Sequence, residues 1–366
     1  MSIKYSSCIA LMLNLVILQL LVPKTAAASE PRSLSAAPCS EVYGSAGAIN
    51  EAGYIDINGI KLWLSIKGQS CANPVVLFVH GGPGNPMSIF SAALYQEWEK
   101  DFTIVQWDQR AAGKTYEANL ESGEITSEML DATPLTLNLI VQDGLAVADF
   151  VTKKLTKNKL IISGTSWGSV VAVHMITDKP EFFQFYVGLS QLVNYHANLL
   201  DSYQKVLLKL QQNTDEQSAD ILQSMGPPPW NNPRNFGKLR KMSRKLEAGL
   251  SDEPVELQVA KLYQTEHYDA AYNSGEEFSF IKFVGLNADG MAQAIELDKT
   301  HLDFKIPVYL IQGEEDLLTS ADITKQYFAK LNAPYKNYIS VTRSGHDPNK
   351  KMFAQQLQVL QEALKK

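Results

Sequence analysis

The sequence predicts an α/β fold: a doubly wound, mostly parallel sheet whose strand-and-helix rhythm is interrupted by an inserted helical cap. Three observations carry this expectation. Continuous apolar runs at Val75–Val79, Phe102–Trp107 and Leu160–Ser163 are spaced widely enough for crossover helices, as strands buried on both faces require. From about Tyr195 to Leu302 this pattern gives way to long polar helical segments, the break Gly226-Pro227-Pro228-Pro229-Trp230 and a charged run at Lys238–Lys245. Strand patterning then returns at Pro307–Gln312 and Tyr338–Val341.

The chain has 366 residues and 45% hydrophobic content, enough for one large core plus an inserted lobe. Its N-terminus must be set aside first. Lys4, an apolar run from Ile9 to Val22 and Ala26-Ala27-Ala28 form the three parts of a secretory signal peptide, residues 1–28. That run of 14 residues is shorter than the roughly 20 a spanning helix needs, so no stable membrane insertion is expected after cleavage. Export to a periplasm or the medium is the expectation. Residues 29–50 form an N-terminal arm, with Ser29 to Pro38 reading as a flexible linker.

Cys8 leaves with the signal, so Cys39 and Cys71 remain. In an oxidising compartment they either bridge the arm to the loop before the first core strand or stay as two buried thiols; spacing alone does not choose. No cysteine has metal-ligand spacing, and no metal or organic cofactor is expected. Cleavage removes Lys4 and Lys24 and no acid, taking the formal charge from -6 to -8, which argues against nucleic acid or an anionic membrane as a partner.

The core is expected in two pieces, residues 51–194 and 303–366, with the cap at 195–302. Tyr54–Ile57, then Asn58-Gly59, then the alternating stretch Lys61–Lys67 give a two-residue hairpin signal, so antiparallel strands open the domain. Asp143–Leu155 places Leu145, Val147, Ala148, Val151 and Leu155 near helical spacing. An amphipathic helix from Lys351 to Leu364 closes the chain, and there is no internal repeat.

The chemistry centres on Gly164-Thr165-Ser166-Trp167-Gly168, which stands after an apolar strand and before the helix-compatible Ser169–Thr177. Gly164 and Gly168 keep side chains out of a tight strand-to-helix bend, and the following helix aims its positive end beside Ser166. A serine hydroxyl needs a base within hydrogen-bond reach and a third group to fix the imidazole tautomer. Among six histidines only His346 follows the last sheet strand, in Ser344-Gly345-His346-Asp347-Pro348. The strand Val308–Gln312 delivers Gly313-Glu314-Glu315-Asp316 into a similar loop; Asp316 is the expected carboxylate, with Glu314 and Glu315 as alternatives. The chain order serine, aspartate, histidine is that of an α/β-hydrolase. For the oxyanion, His80-Gly81-Gly82-Pro83-Gly84 offers a glycine loop after a strand, and the expected donors are the amides of Gly82 and Trp167.

Taken together, His80-Gly81-Gly82-Pro83-Gly84, Trp107-Asp108-Gln109-Arg110, the Ser166-Trp167-Gly168-Ser169 elbow, Gly313–Asp316 and Ser344-Gly345-His346 resemble the proline iminopeptidase family of serine peptidases. The resemblance spans the catalytic domain. It implies an α/β-hydrolase core with a helical cap, the same three catalytic residues, supporting roles for Asp108 and Arg110, and removal of an N-terminal residue, often proline, from peptides. Two departures stand out. Ala111-Ala112-Gly113 follows Arg110 where the family shows glycine directly, and the cap lacks the family's tryptophan and glutamate pattern for the substrate amine, leaving Glu266, Glu276 and Glu277 as available acids. An aminopeptidase needs buried carboxylates for the α-ammonium group, while a carboxylesterase needs only an apolar acyl pocket. The expected substrate is a small peptide or ester.

Overall fold

The computed structural model describes residues 33–365; the expected signal peptide, residues 1–28, lies outside them. Eight strands among the described residues form one sheet: β1 (Ile49–Ile57), β2 (Ile60–Gly68), β3 (Val75–Val79), β4 (Thr103–Trp107), β5 (Leu160–Thr165), β6 (Phe183–Leu189), β7 (Val308–Gly313) and β8 (Lys336–Val341). Their spatial order is β1-β2-β4-β3-β5-β6-β7-β8. β1, β2 and β4 pair antiparallel, and every later pair is parallel. Asn58 and Gly59 both take positive φ, 48° and 79°, the requirement of a two-residue turn that matches strand twist.

Alternation along the central strands separates two apolar layers. Val75, Leu77 and Val79 of β3 join one cluster, Val76 and Phe78 the other. β5 divides in the same way, with Leu160 and Ile162 on one face and Ile161 on the opposite face. A strand with both faces buried shows no polar alternation, which is why these segments read as continuous apolar runs. Helices fill both layers, among them α1 (Leu137–Lys154) and α2 (Trp167–Asp178). The Thr136 side chain accepts from Leu139 N at 3.2 Å, capping α1 six residues before the start expected from apolar spacing.

Between β6 and β7 lie the helices of the inserted cap: α3 (Tyr195–Gln212), α4 (Glu216–Met225), α5 (Pro233–Leu250) and α6 (Glu266–Val284). Each starts at a polar cap, Asn194, Asp215, Asn232 and Thr265, whose side chain accepts a backbone N–H of the first turn. After β7, α7 (Ala321–Lys330) and α8 (Lys350–Ala363) complete the layers. β6 was not expected from the sequence. Its residues are apolar and nearly all buried, but it follows a single turn at Pro180–Phe182 with no glycine to announce it.

The part of the arm that is described is tied down, contrary to the expected flexible linker. Leu34 N donates to Tyr54 O at 2.8 Å, and the buried Lys154 Nζ reaches Ser35 O at 2.8 Å and Glu51 at 2.9 Å. Cys39 and Cys71 form a disulfide, which resolves the alternative left open by spacing. Among the described residues no helix is long and apolar enough to cross a membrane.

The sheet order also fixes where chemistry can occur. The chain leaves β3 for its neighbour β4 and then returns to β5 on the other side, so the loops after β3 and β5 diverge at one point. In open α/β sheets a crevice forms at such a point, beyond the strands' C-terminal ends.

Candidate active site

Ser166 leaves β5 with φ 54° and ψ -122°, a conformation costing on the order of 1–3 kcal/mol that persists only when its surroundings impose it. They do so here. Ser166 N donates to Leu189 O of β6 at 3.0 Å, and Ser169 N donates to Ser166 O at 2.9 Å. The two flanking glycines are required by crowding: a Cβ on Gly168 would lie 2.1 Å from Val79 O, and one on Gly164 would lie 2.5 Å from Gly168 O. Neither glycine has positive φ, so the strain rests on Ser166 alone.

His346 and Asp316 arrive from the loops after β8 and β7. His346 Nε2 lies 3.0 Å from Ser166 Oγ, and its Nδ1 lies 3.1 and 3.0 Å from Asp316 Oδ1 and Oδ2. Asp316 is fully enclosed by donors. Oδ1 accepts from Leu318 N at 2.9 Å and Thr319 N at 2.7 Å; Oδ2 accepts from Thr319 Oγ1 at 2.7 Å and Gln312 Nε2 at 3.0 Å. Burial by itself would raise the Asp316 carboxyl, but the facing imidazole and the Thr319 bonds outweigh it and hold the group below its usual value. Burial opposes protonation of His346, yet the attraction and hydrogen bond of Asp316 carry its pKa above the ordinary 6.5. Glu314 and Glu315, the alternatives, do not occupy this position: Glu314 accepts from Ser340 Oγ at 2.8 Å and is exposed there.

Gly82 and Trp167 both line the pocket at Ser166. Gly82 has φ 110°, and a Cβ there would meet Gly84 N at 2.7 Å, so the loop needs glycine. A Cβ on Gly84 would lie 2.9 Å from Glu276 Cα on α6, which places that helix directly on the glycine loop, and one on Gly81 would lie 3.1 Å from Thr165 O. His80 is scaffolding. Burial lowers its pKa to about 4; Nε2 accepts from Gln109 N at 3.0 Å, which assigns the proton to Nδ1, 2.9 Å from Gly81 O. Gln109 then links the two loops, donating to His80 O at 2.7 Å and accepting from Trp167 Nε1 at 2.9 Å.

Asp108 and Arg110 sit behind the site. Asp108 accepts from Ser88 Oγ at 2.6 Å and Lys114 N at 2.8 Å, and burial raises its carboxyl to about 7. Arg110 holds the buried Asp143 through Nε and Nη2, each at 2.9 Å. Ala111, where the family shows glycine, adopts φ 61°, a left-handed conformation that glycine takes without strain.

Three further residues shape the site and carry no local sequence signal. Thr319 buttresses Asp316 and lies 3.1 Å from His346 Nδ1. Glu247 of α5 accepts from Leu317 N at 2.8 Å and His346 N at 3.2 Å. Asn85 donates to Glu276 Oε1 at 2.9 Å. Of the three acids considered for a substrate amine, Glu276 is buried against the glycine loop, Glu277 is half-buried and Glu266 is exposed. The pocket itself, about 410 Å³ including its open mouth, is walled by Leu192, Tyr195, Leu199, Phe236, Phe283 and Leu318. Its mostly apolar wall suits an apolar group.

Residues 70–349 match the family described as serine aminopeptidase, S33. The chain belongs to this family. The serine aminopeptidase fold is an α/β-hydrolase, as the order of strands and the inserted helices require. A curated relative, the probable aminopeptidase YbaC of Bacillus subtilis (strain 168), is 28% identical over 313 residues, covering 81% of this chain and 90% of that protein. The crystal structure of proline iminopeptidase from Mycobacterium smegmatis superposes with a TM-score of 0.59 at 15% identity, covering 86% of this chain and 98% of the other. A thermophilic esterase from Thermogutta terrifontis gives 0.51 at 14% identity, over 87% and 98%. These structures share the fold of this serine aminopeptidase-like hydrolase.

Proposed function

We propose that the chain is an exported aminopeptidase of the proline iminopeptidase type, which releases N-terminal residues from peptides through an acyl-enzyme on Ser166. The observation that carries this reading is the unbroken relay from Ser166 Oγ to His346 Nε2 at 3.0 Å and from His346 Nδ1 to Asp316 Oδ2 at 3.0 Å, at the mouth of an apolar pocket. His346 takes the hydroxyl proton as Ser166 attacks the carbonyl. The Gly82 and Trp167 amides receive the oxyanion, Asp316 stabilises the imidazolium, and His346 returns its proton to the leaving amine. Water, activated by the same imidazole, then releases the acyl group.

The family supports an aminopeptidase, and so does Glu276. Burial raises its carboxyl, so pairing with a substrate ammonium would recover stability lost on desolvation. The lobe 195–302 would then cover the substrate's N-terminus. Arylamides of proline and alanine, with and without an N-terminal block, test this: free-amine arylamides should turn over and blocked ones should not. Equal turnover of both would reject the aminopeptidase. A second reading, a carboxylesterase or amidase for small acyl groups, draws on the absence of any carboxylate among the pocket-lining residues. Short acyl esters outpacing every free-amine arylamide would select it.

Export is supported by the Cys39–Cys71 disulfide, because such bonds persist in oxidising compartments. Cell fractionation with N-terminal sequencing should find the mature chain outside the cytoplasm, beginning at Ser29. A cytoplasmic chain retaining Met1 would reject export.

A further inference from the structure

We propose that Glu247 is a positioning residue: delivered by the cap helix α5, its carboxylate holds the loops bearing Asp316 and His346 in register, joining the lobe above the site to the proton relay beneath it. The proposal rests on the reading that Ser166, His346 and Asp316 form that relay. One side chain spans two loops. Its Oε1 accepts from Leu317 N, the residue after Asp316, at 2.8 Å, and its Oε2 accepts from the amide of His346 itself at 3.2 Å. A backbone bond from Glu315 N to Ser344 O at 3.0 Å ties the loops at their base, so Glu247 restrains the tips where the reacting groups sit.

The surroundings are built for this carboxylate. A Cβ on Gly345 would lie 2.9 Å from Glu247 Oε2, so the absence of a side chain there makes room for it. Arg240, two turns earlier on α5, puts Nη1 3.7 Å from Glu247 Oε2 and donates through Nη2 to Asp347 Oδ1 at 2.7 Å. Arg244 Nε lies 3.1 Å from Asp347 Oδ2. The charged groups facing Glu247 are therefore Arg240 from its own helix and Asp316 and His346 from the loops, while Asp347 pairs with Arg240 and Arg244. α5 thus holds His346 through Glu247 and Asp347 through Arg240 and Arg244. About three turns earlier the same helix presents Phe236 as a wall of the pocket, so a substrate pressing on that wall bears on the element that seats the base.

An amine-binding role for Glu247 is the competing outcome, and the two are separable because a neutral ester has no amine. The experiment compares wild type with Glu247→Gln on p-nitrophenyl acetate, on an alanyl arylamide and in fluorophosphonate labelling. Glutamine keeps one acceptor and turns an NH₂ group toward the other amide, so one tie is lost. Misplacing a base by about 1 Å costs up to about 100-fold, so kcat on the ester should fall about 10- to 100-fold, with KM changed less than about threefold. Ester kcat within about twofold of wild type would overturn the proposal, as would a rise in KM confined to the arylamide. In the intact wild-type enzyme, hydrogen exchange should show the Leu317 and His346 amides strongly protected. Rapid exchange of both would overturn it even if the variant failed to fold. Failure of wild type to label at Ser166 would instead remove the relay on which the proposal stands.

Discussion

Asp316→Asn is the sharpest perturbation, since it changes one atom in a shell that has only acceptor positions to fill. Oδ1 faces two fixed backbone donors, Leu318 N and Thr319 N, so the asparagine carbonyl must stay there. Its NH₂ then occupies the place of Oδ2, where Thr319 Oγ1 can rotate to accept but Gln312 Nε2 is a donor facing a donor. The new amide also points at His346 Nδ1, which must accept and therefore gives up its proton to Nε2. That nitrogen, 3.0 Å from Ser166 Oγ, can no longer serve as a base. Wrong-tautomer variants of this kind lose about 10⁴ in kcat, close to 5 kcal/mol at about 1.4 kcal/mol per decade. The opposed donors add about 1–3 kcal/mol of instability, a loss of several degrees in melting temperature. Stopped-flow bursts with p-nitrophenyl acetate across pH, with circular dichroism melts, measure both. Wild-type kcat/KM should fall as pH drops through a midpoint above 6.5, because His346 must be neutral to act and its proton is held by Asp316. In Asp316→Asn the residual activity should fall at lower pH. A variant within about tenfold of wild type, with an unmoved limb, would refute the role given to Asp316.

Other outcomes follow from the same geometry. Ser166→Ala should lower turnover by several orders of magnitude while melting no earlier than wild type, and should take no fluorophosphonate label; near-wild-type turnover would reject the nucleophile. Gly168→Ala drives a methyl group to 2.1 Å from Val79 O and should cost about 3 kcal/mol or more, read as a loss of soluble yield or a collapse in melting temperature. A melting point matching wild type would show that the elbow has slack. Replacing Cys39 and Cys71 by serine opens a loop with a sequence separation of 32 and should remove about 3–4 kcal/mol, measured by urea unfolding. An unchanged midpoint would mean that the arm is already held by Leu34 and Lys154.

How much of this was legible in the sequence follows from where each signal resides. Ser166 and Asp316 each stand just beyond a buried strand and His346 beyond the half-exposed edge strand β8, so a local strand pattern and a short polar or glycine loop are enough to find them. Gly82, Gly164 and Gly168 are legible for a related reason, because tight backbone contact excludes every other residue type. Glu247 is different. Its partners are the amides of Leu317 and His346, 70 and 99 residues away in sequence, and any residue supplies an amide, so no composition marks the pairing. Within the charged face of α5 it reads as one more solvated acid. Thr319 was equally hidden, since nothing local marks its bonds to Asp316 and His346, and Gln109 was legible only as part of the Trp107–Arg110 motif, without its bonds to His80 and Trp167. β6 escaped because only the single turn at Pro180–Phe182 separates it from the preceding helix, and the Cys39–Cys71 bond needed distances that spacing cannot supply.

The backbone of Ser166 has a consequence beyond its chemistry. A non-glycine residue at φ 54° and ψ -122° is there because the fold compels it, and glycine would take that conformation with little penalty. Ser166→Gly should therefore yield an inert protein that resists heat better than the natural one, by up to about 1–3 kcal/mol. At this position selection for durability and selection for turnover point toward different amino acids.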